Sequence, residues 1–326
     1  MKYKKSEAKE YAREHMRGIW AANLTPFDAN FALDEAAYAD NLHHWINELN
    51  LGGLFIAGKQ GEFFSMSLPE RKRIMEMSVQ AAANAGNRGL SGPCGIITSC
   101  SDTNLDVVLE LGRYSQDIGA DYIIVHSPVL HFGADTEETI YAYYEYISQQ
   151  LDIGIAMWNH PDCGYVMSPE LCARVAELPN IVAIKYNNDK AALARLTELA
   201  GDKIHVSCPS EEDWLEHIIE LGWKLYLCSV PPFLLQTAVD QRMNEYTRLA
   251  FEGKFDEARR VRDSLNPVRD AIKRSKPHGK PQAHSKYWQE LLGQHGGPVR
   301  RPLLQLSEAE RAATREAMAG CGLKLK

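Results

Sequence analysis

A lysine closes the apolar run Ile181-Val182-Ala183-Ile184-Lys185. An amine held against apolar neighbours loses its charge more readily than one in water. The neutral amine can then attack a carbonyl carbon, the first step of Schiff-base catalysis. A second run is followed by Gly58-Lys59-Gln60-Gly61-Glu62. Its glycines let backbone N–H groups face an anion, and Lys59 and Gln60 add donors. Further runs end in Asn23 and Thr25 before Pro26, in His126-Ser127-Pro128, in Trp158-Asn159-His160-Pro161 and in Ser229. This set suits a 2-oxo acid: the ketone condenses with Lys185 and the carboxylate lies on Gly58, Gln60 and Gly61, with Thr25, Trp158 and Ser229 completing the binding residues. Lys59 or His160 would move protons. His126 and His160 read first as satisfied core or rim side chains, then as proton shuttles, and last as metal ligands. Glu62 reads as a capping or ion-pair residue rather than a catalytic acid.

Positioning such groups requires strands that end together. The β-like runs are Gly18–Leu24, Gly53–Ala57, Gly89–Gly95, Tyr122–His126, Ile153–Trp158, Ile181–Lys185, Ile204–Cys208 and Lys224–Ser229. They lack strict alternation, as strands of a parallel sheet buried on both faces do. Helical patterns separate them. Ser67-Leu68-Pro69-Glu70 has the form of a capping box, Ser168-Pro169 places proline at a first helical position, and Ser210–Asp213 would put acids in a first turn. Eight such units predict a (β/α)8 TIM barrel, whose chemistry sits at the C-terminal ends of the strands. The expected organisation is an N-terminal helical extension over 1–16, the barrel over 17–240 and a C-terminal helical segment over 241–326 packed on it. Lys273, Arg274, Lys276, Lys280 and Lys286 read as solvated surface.

The 326 residues are 45% hydrophobic and 24% charged, with a formal net charge of −7. That balance argues against a nucleic-acid or anionic-membrane partner. No apolar stretch approaches the roughly 20 residues needed to span a bilayer. Seven cysteines without a C-x-x-C pair read as reduced, mostly buried thiols of a cytoplasmic protein. Cys94 and Cys208 fall near strand ends and are weighed as nucleophiles, with packing the better reading.

Leu24-Thr25-Pro26-Phe27, Gly58-x-x-Gly61-Glu62, Gly119-Ala120-Asp121, Asn159-x-Pro161 with Gly164, Ile181–Lys185 and the tail stretch Glu252–Arg259 resemble, in order and spacing, the dihydrodipicolinate synthase/N-acetylneuraminate lyase family. The resemblance covers about residues 17 to 323. It implies a barrel with a C-terminal helical segment and a class I, metal-free lyase, usually a homotetramer (a dimer of dimers). The Schiff-base lysine would be Lys185, with a covalent imine on it and no separate cofactor. This sequence departs from the family where protons are usually relayed. Lys59 and Gln60 replace two hydroxyl residues, the strand-five tyrosine falls on Trp158, and the tyrosine lent by a neighbouring subunit falls near Pro128-Val129-Leu130. Indole N–H donates a hydrogen bond but does not shuttle a proton near neutral pH. A second cation at Lys59, within about 6 Å, would favour the neutral form of Lys185.

The expected function is therefore a Schiff-base lyase of the aldolase or hydratase-aldolase type acting on pyruvate or a related 2-oxo acid. Trp158, Phe63 and Phe64 leave room for a bulky or aromatic aldehyde partner, although core packing is the plainer reading of the two phenylalanines. The alternatives are a dihydrodipicolinate synthase-like condensation, a 2-oxo acid dehydratase, and a non-catalytic ligand-binding barrel. A metal-dependent hydrolase ranks last, because strand one lacks His-x-His and the later strand ends offer no carboxylate cluster.

Overall fold

Short runs of Ile, Val, Leu and small residues, buried along nearly their whole length, form eight strands in the computed structural model, which describes residues 1–85, 92–129 and 136–325. They are β1 (Gly18–Ala22), β2 (Gly53–Ile56), β3 (Gly95–Ser99), β4 (Tyr122–His126), β5 (Gly154–Asn159), β6 (Ile181–Tyr186), β7 (His205–Ser207) and β8 (Leu225–Leu227). These strands pair in parallel, in the order β7-β6-β5-β4-β3-β2-β1-β8. Between β7 and β8 the Leu227 N–H donates to Ser207 Oγ at 2.7 Å, which draws the sheet's two ends together. The fold is an α/β barrel with further helices after its eighth strand.

The chain divides into two units. The first comprises Met1–Trp20, Gly52–Ile56 and Gly95–Cys228 and carries the paired strands. At their N-terminal ends, Gly53 and Gly95 are register partners. A Cβ on either would lie 2.2 Å from the Trp20 indole, so the two glycines make the slot that this side chain fills. The N-terminal residues, helical over Lys5–Glu7 and Ala8–His15, reach the same strand starts. Gly154 N–H donates to Tyr3 Oη at 2.9 Å, Lys2 pairs with Asp121 at 2.7 Å, and His205 Nε2 lies 3.0 Å from Ala12 O.

The second unit comprises Ala21–Leu51, Ala57–Cys94 and Ser229–Lys326. Its helices include Glu35–His43, Leu68–Asn84, Arg242–Phe251, Phe255–Asp263, Asn266–Ser275, Pro281–Leu291 and Glu308–Ala319. Capping boxes start two of them, Ser67 with Glu70 and Ser307 with Glu310.

Three expectations need correction. The third strand is Gly95–Ser99, not Gly89–Gly95, and residues 89–91 lie outside the described residues. The β-branched Ile96-Ile97-Thr98 is the better strand former. The helix expected to open at Ser210 begins at Trp214, since Ser210 turns its hydroxyl onto Asp213 at 2.7 Å. Lys273, Arg274 and Lys276 are exposed, but Lys286 is buried. No helix among the described residues is long and apolar enough to cross a membrane.

Candidate active site

Parallel register puts four residues level across adjacent strands: His126 with Trp158, Trp158 with Lys185, and Lys185 with Ser207. Partners in a parallel pair point to the same face. The neighbours of Lys185 show that this face is the barrel interior. Its Nζ donates to Cys228 O at 2.8 Å, just beyond β8, and lies 5.2 Å from the Phe55 ring centroid on β2 and 5.6 Å from that of Trp158 on β5. Groups from four strands converge on one amine only inside a closed sheet. Lys185 is 5% exposed and Trp158 is buried beside it, edge-on to Phe55 at 5.5 Å. Water is thus largely replaced around Nζ by two ring faces and a carbonyl. A neutral amine that donates to Cys228 O keeps its lone pair for an electrophile.

Next along the row, the His126 ring stands edge-on to Trp158 at 4.6 Å between centroids. Its Nδ1 is 2.6 Å and its Nε2 3.4 Å from Cys163 Sγ. The thiol also donates to Ser127 O at 3.1 Å, and burial pushes its pKa up to about 12. His126 N–H is fixed by Ser101 Oγ at 3.0 Å. His160 is placed differently. It caps the short turn Pro161–Cys163, its Nδ1 accepting from Asp162 N–H at 3.2 Å and lying 3.1 Å from Asp162 Oδ1. The pairing of His126 with Cys163 escaped the sequence reading. The signal was present only as a thiol five residues past Trp158 and a histidine closing β4. Among the thiols weighed there, Cys94 and Cys208 are both buried, and burial raises the Cys208 pKa.

The remaining proposed site residues belong to the second unit. Thr25 Oγ1 donates to Gly61 O at 2.9 Å, and a Cβ on Gly61 would crowd Thr25 Oγ1 at 3.1 Å and Asn23 O at 3.2 Å. The turn bends sharply at both ends, with Ala57 and Glu62 left-handed at φ 57° and 62°. Gly58 is buried and Lys59 and Gln60 are half-buried. Ser229 gives its carbonyl to Ala22 N–H at 3.0 Å. Glu62 is an ion-pair residue, as expected. It is fully buried and meets Lys286 Nζ at 2.6 Å, and it accepts from Arg300 N–H at 2.8 Å. Phe63 and Phe64 do not pack into the core; Phe64 is 46% exposed. Val129 is exposed, and Leu130 lies outside the described residues.

Comparison with known proteins points to one family. A family model described as the dihydrodipicolinate synthetase family matches residues 15–320. A 4-hydroxy-tetrahydrodipicolinate synthase of Methanothrix thermoacetophila is 25% identical over 305 residues, 93% of this chain and 96% of that protein. A probable 5-dehydro-4-deoxyglucarate dehydratase of Methylobacterium radiotolerans is 28% identical over 306 residues, 93% of this chain and 94% of its own length. The crystal structure of a chloride-inhibited dihydrodipicolinate synthase from Acinetobacter baumannii, complexed with pyruvate, superposes with a TM-score of 0.79 at 20% identity. It covers 95% of this chain and all of that one.

Proposed function

This chain belongs to the dihydrodipicolinate synthetase family, and from that premise we propose that it is a Schiff-base-forming lyase acting on pyruvate or a related 2-oxo acid. The observation that carries the reading is the Lys185 amine, enclosed by Cys228 O, Phe55 and Trp158. Nζ adds to the C2 ketone to give a carbinolamine. Loss of water leaves an iminium, which takes up the electron pair of a breaking bond at the neighbouring carbons. Cleavage of C3–C4 is the aldolase outcome and departure of a β-hydroxyl the dehydratase outcome. The two relatives' names include a synthase and a dehydratase, and one imine serves either reaction. A dihydrodipicolinate synthase-like condensation is the less favoured reading, because the hydroxyl at the strand-five position is replaced by Trp158, whose indole offers a flat face to a substrate but relays no proton.

As a separate proposal, the Gly58–Gly61 turn keeps its reading as a carboxylate cradle, with Gln60→Ala expected to raise KM more than it lowers kcat. Assembly as a dimer of dimers is likewise proposed, and light scattering of the purified protein tests it. The principal test is turnover of a panel of 4-hydroxy-2-oxo acids by Lys185→Ala and Lys185→Arg. Both variants are expected to fold and to lose turnover. Retained turnover in either would overturn the reading.

A further inference from the structure

A proton on the imine nitrogen is what makes an imine an electron sink, so the groups facing that atom decide how well it works. In the first unit the Phe55 and Trp158 rings face Lys185 Nζ, with their centroids 5.2 Å and 5.6 Å away. Their planes stand at 87° to one another, so the two faces bear on the amine from different directions. Both rings and the amine are buried. An aromatic face is electron-rich and attracts a cation within about 6 Å, more strongly where water is excluded. Cys228 O, 2.8 Å from Nζ, adds an acceptor that binds an ionised donor about twice as strongly as a neutral one. We propose that Phe55 and Trp158, with Cys228 O, form a cation clamp that keeps the Lys185 Schiff base protonated. This inference rests on the Schiff-base reading above.

The clamp acts where charge appears on nitrogen. Hydroxide leaves the carbinolamine with the C–O electron pair and takes a proton from solvent to become water. The nitrogen lone pair becomes the second C–N bond, which leaves the nitrogen cationic with a single N–H. Cys228 O is the acceptor the amine already uses for such a hydrogen. Loss of that proton to solvent gives a neutral imine, a far weaker electron sink. The rings oppose the loss because they attract the cation and not the neutral form. They act alike on the ammonium of the resting lysine, which carries the same charge. The clamp therefore leaves the ratio of ammonium to iminium nearly unchanged and sets the pH at which both are lost. Of the titratable groups nearby, Cys208 keeps its proton, because burial raises its pKa against a smaller pull from the Lys185 charge. The Cys228 thiol is turned onto Trp20 O at 3.3 Å. His126 meets the Trp158 ring at 4.6 Å, so the test centres on Phe55.

The test treats the full chain and pyruvate with cyanoborohydride, which reduces the iminium and spares the neutral imine, across a range of pH. The trapping rate on Lys185 is expected to be level near neutral pH and to fall at alkaline pH as the proton is lost. Phe55→Leu should move that fall down by about one pH unit, or about 10-fold in rate on the alkaline limb, with the neutral plateau unchanged. Trifluorination of the Phe55 ring by site-specific incorporation nearly keeps its shape and weakens its electron-rich face. It should shift the limb in the same direction even where leucine disturbs the packing. Trp158→Phe, which keeps a ring face, should move the limb less than Trp158→Leu. A limb that stays at the wild-type pH in both Phe55 proteins, or a drop of equal size at every pH, would overturn the clamp and leave the Schiff-base reading intact. Absence of any adduct on the wild-type protein would overturn both.

Discussion

Lys185 and Lys286 are both buried, 5% and 1% exposed, each in its own unit, and their surroundings differ in kind. Around Lys185 the structure sets a backbone carbonyl and two aromatic faces. Around Lys286 it sets the Glu62 carboxylate at 2.6 Å, Pro298 O at 2.9 Å and the Phe27 ring at 4.4 Å. A carbonyl and two ring faces position the Lys185 amine. A carboxylate at contact distance ties the lysine into the structure, even though burial lowers its pKa to about 8 against the pull of Glu62. On the function proposed above, the same residue type serves chemistry in one place and cohesion in the other. What Lys286 holds is specific. The Glu62 at the end of the glycine turn also binds Arg300 N–H, and Arg300 reaches Glu70, Ser65 O and Phe31 O.

Substitutions separate the two roles. The largest effect is expected at Lys185, where Met should cut turnover by at least ~10³-fold with little change in chemical denaturation. Lys286→Met should do the opposite. It leaves Glu62 buried without its counter-charge, at an expected cost of about 3–5 kcal/mol in urea unfolding. Pairing it with Glu62→Gln should recover more than half of that loss, because the uncompensated charge is gone. If Lys286→Met left stability intact, the cohesive role would be wrong.

Away from both lysines, at the strand starts, packing alone should decide. Gly95→Ala would drive a methyl to within 2.2 Å of Trp20, for about 1–3 kcal/mol of destabilisation and unchanged adduct formation. The smallest effect concerns Glu70. The Arg300 guanidinium, with help from Ser67, holds its carboxyl down at about 2, against 4.5 when unpaired. A carboxylate so depressed stabilises the fold fully above about 4.5, and that contribution fades as pH falls toward 2. Solvent screening reduces it to about 1 kcal/mol. Glu70→Gln should therefore flatten the acid limb of the stability curve between those values and lower the plateau at neutral pH by the same amount.

The barrel was legible because most of its strands are short runs rich in Ile, Val, Leu and small residues, and Lys185 because it closes one such run. The third strand was placed too early because Gly89–Gly95 mixes glycine with isolated apolar residues, whereas Ile96-Ile97 lies just beyond. The site beyond Lys185 was less visible. His126 and Cys163 are 37 residues apart, and parallel register, not local pattern, brings them together. Lys286 and Glu62 are farther apart still. Lys286 sits among basic residues such as Lys273 and Lys276 that are exposed, so its burial could not be read from its neighbours. His160 looked like a proton shuttle because it lies at the strand end, two residues past Trp158. In the structure that position makes it a turn cap.

The most direct test is borohydride reduction of the protein with pyruvate and a panel of 2-oxo acids, followed by peptide mass spectrometry. The expected result is one reduced adduct, on the peptide containing Lys185, and none on that containing Lys286. An adduct confined to any other lysine, or none with any acid tried, would contradict the assignment of Lys185 as the imine-forming amine.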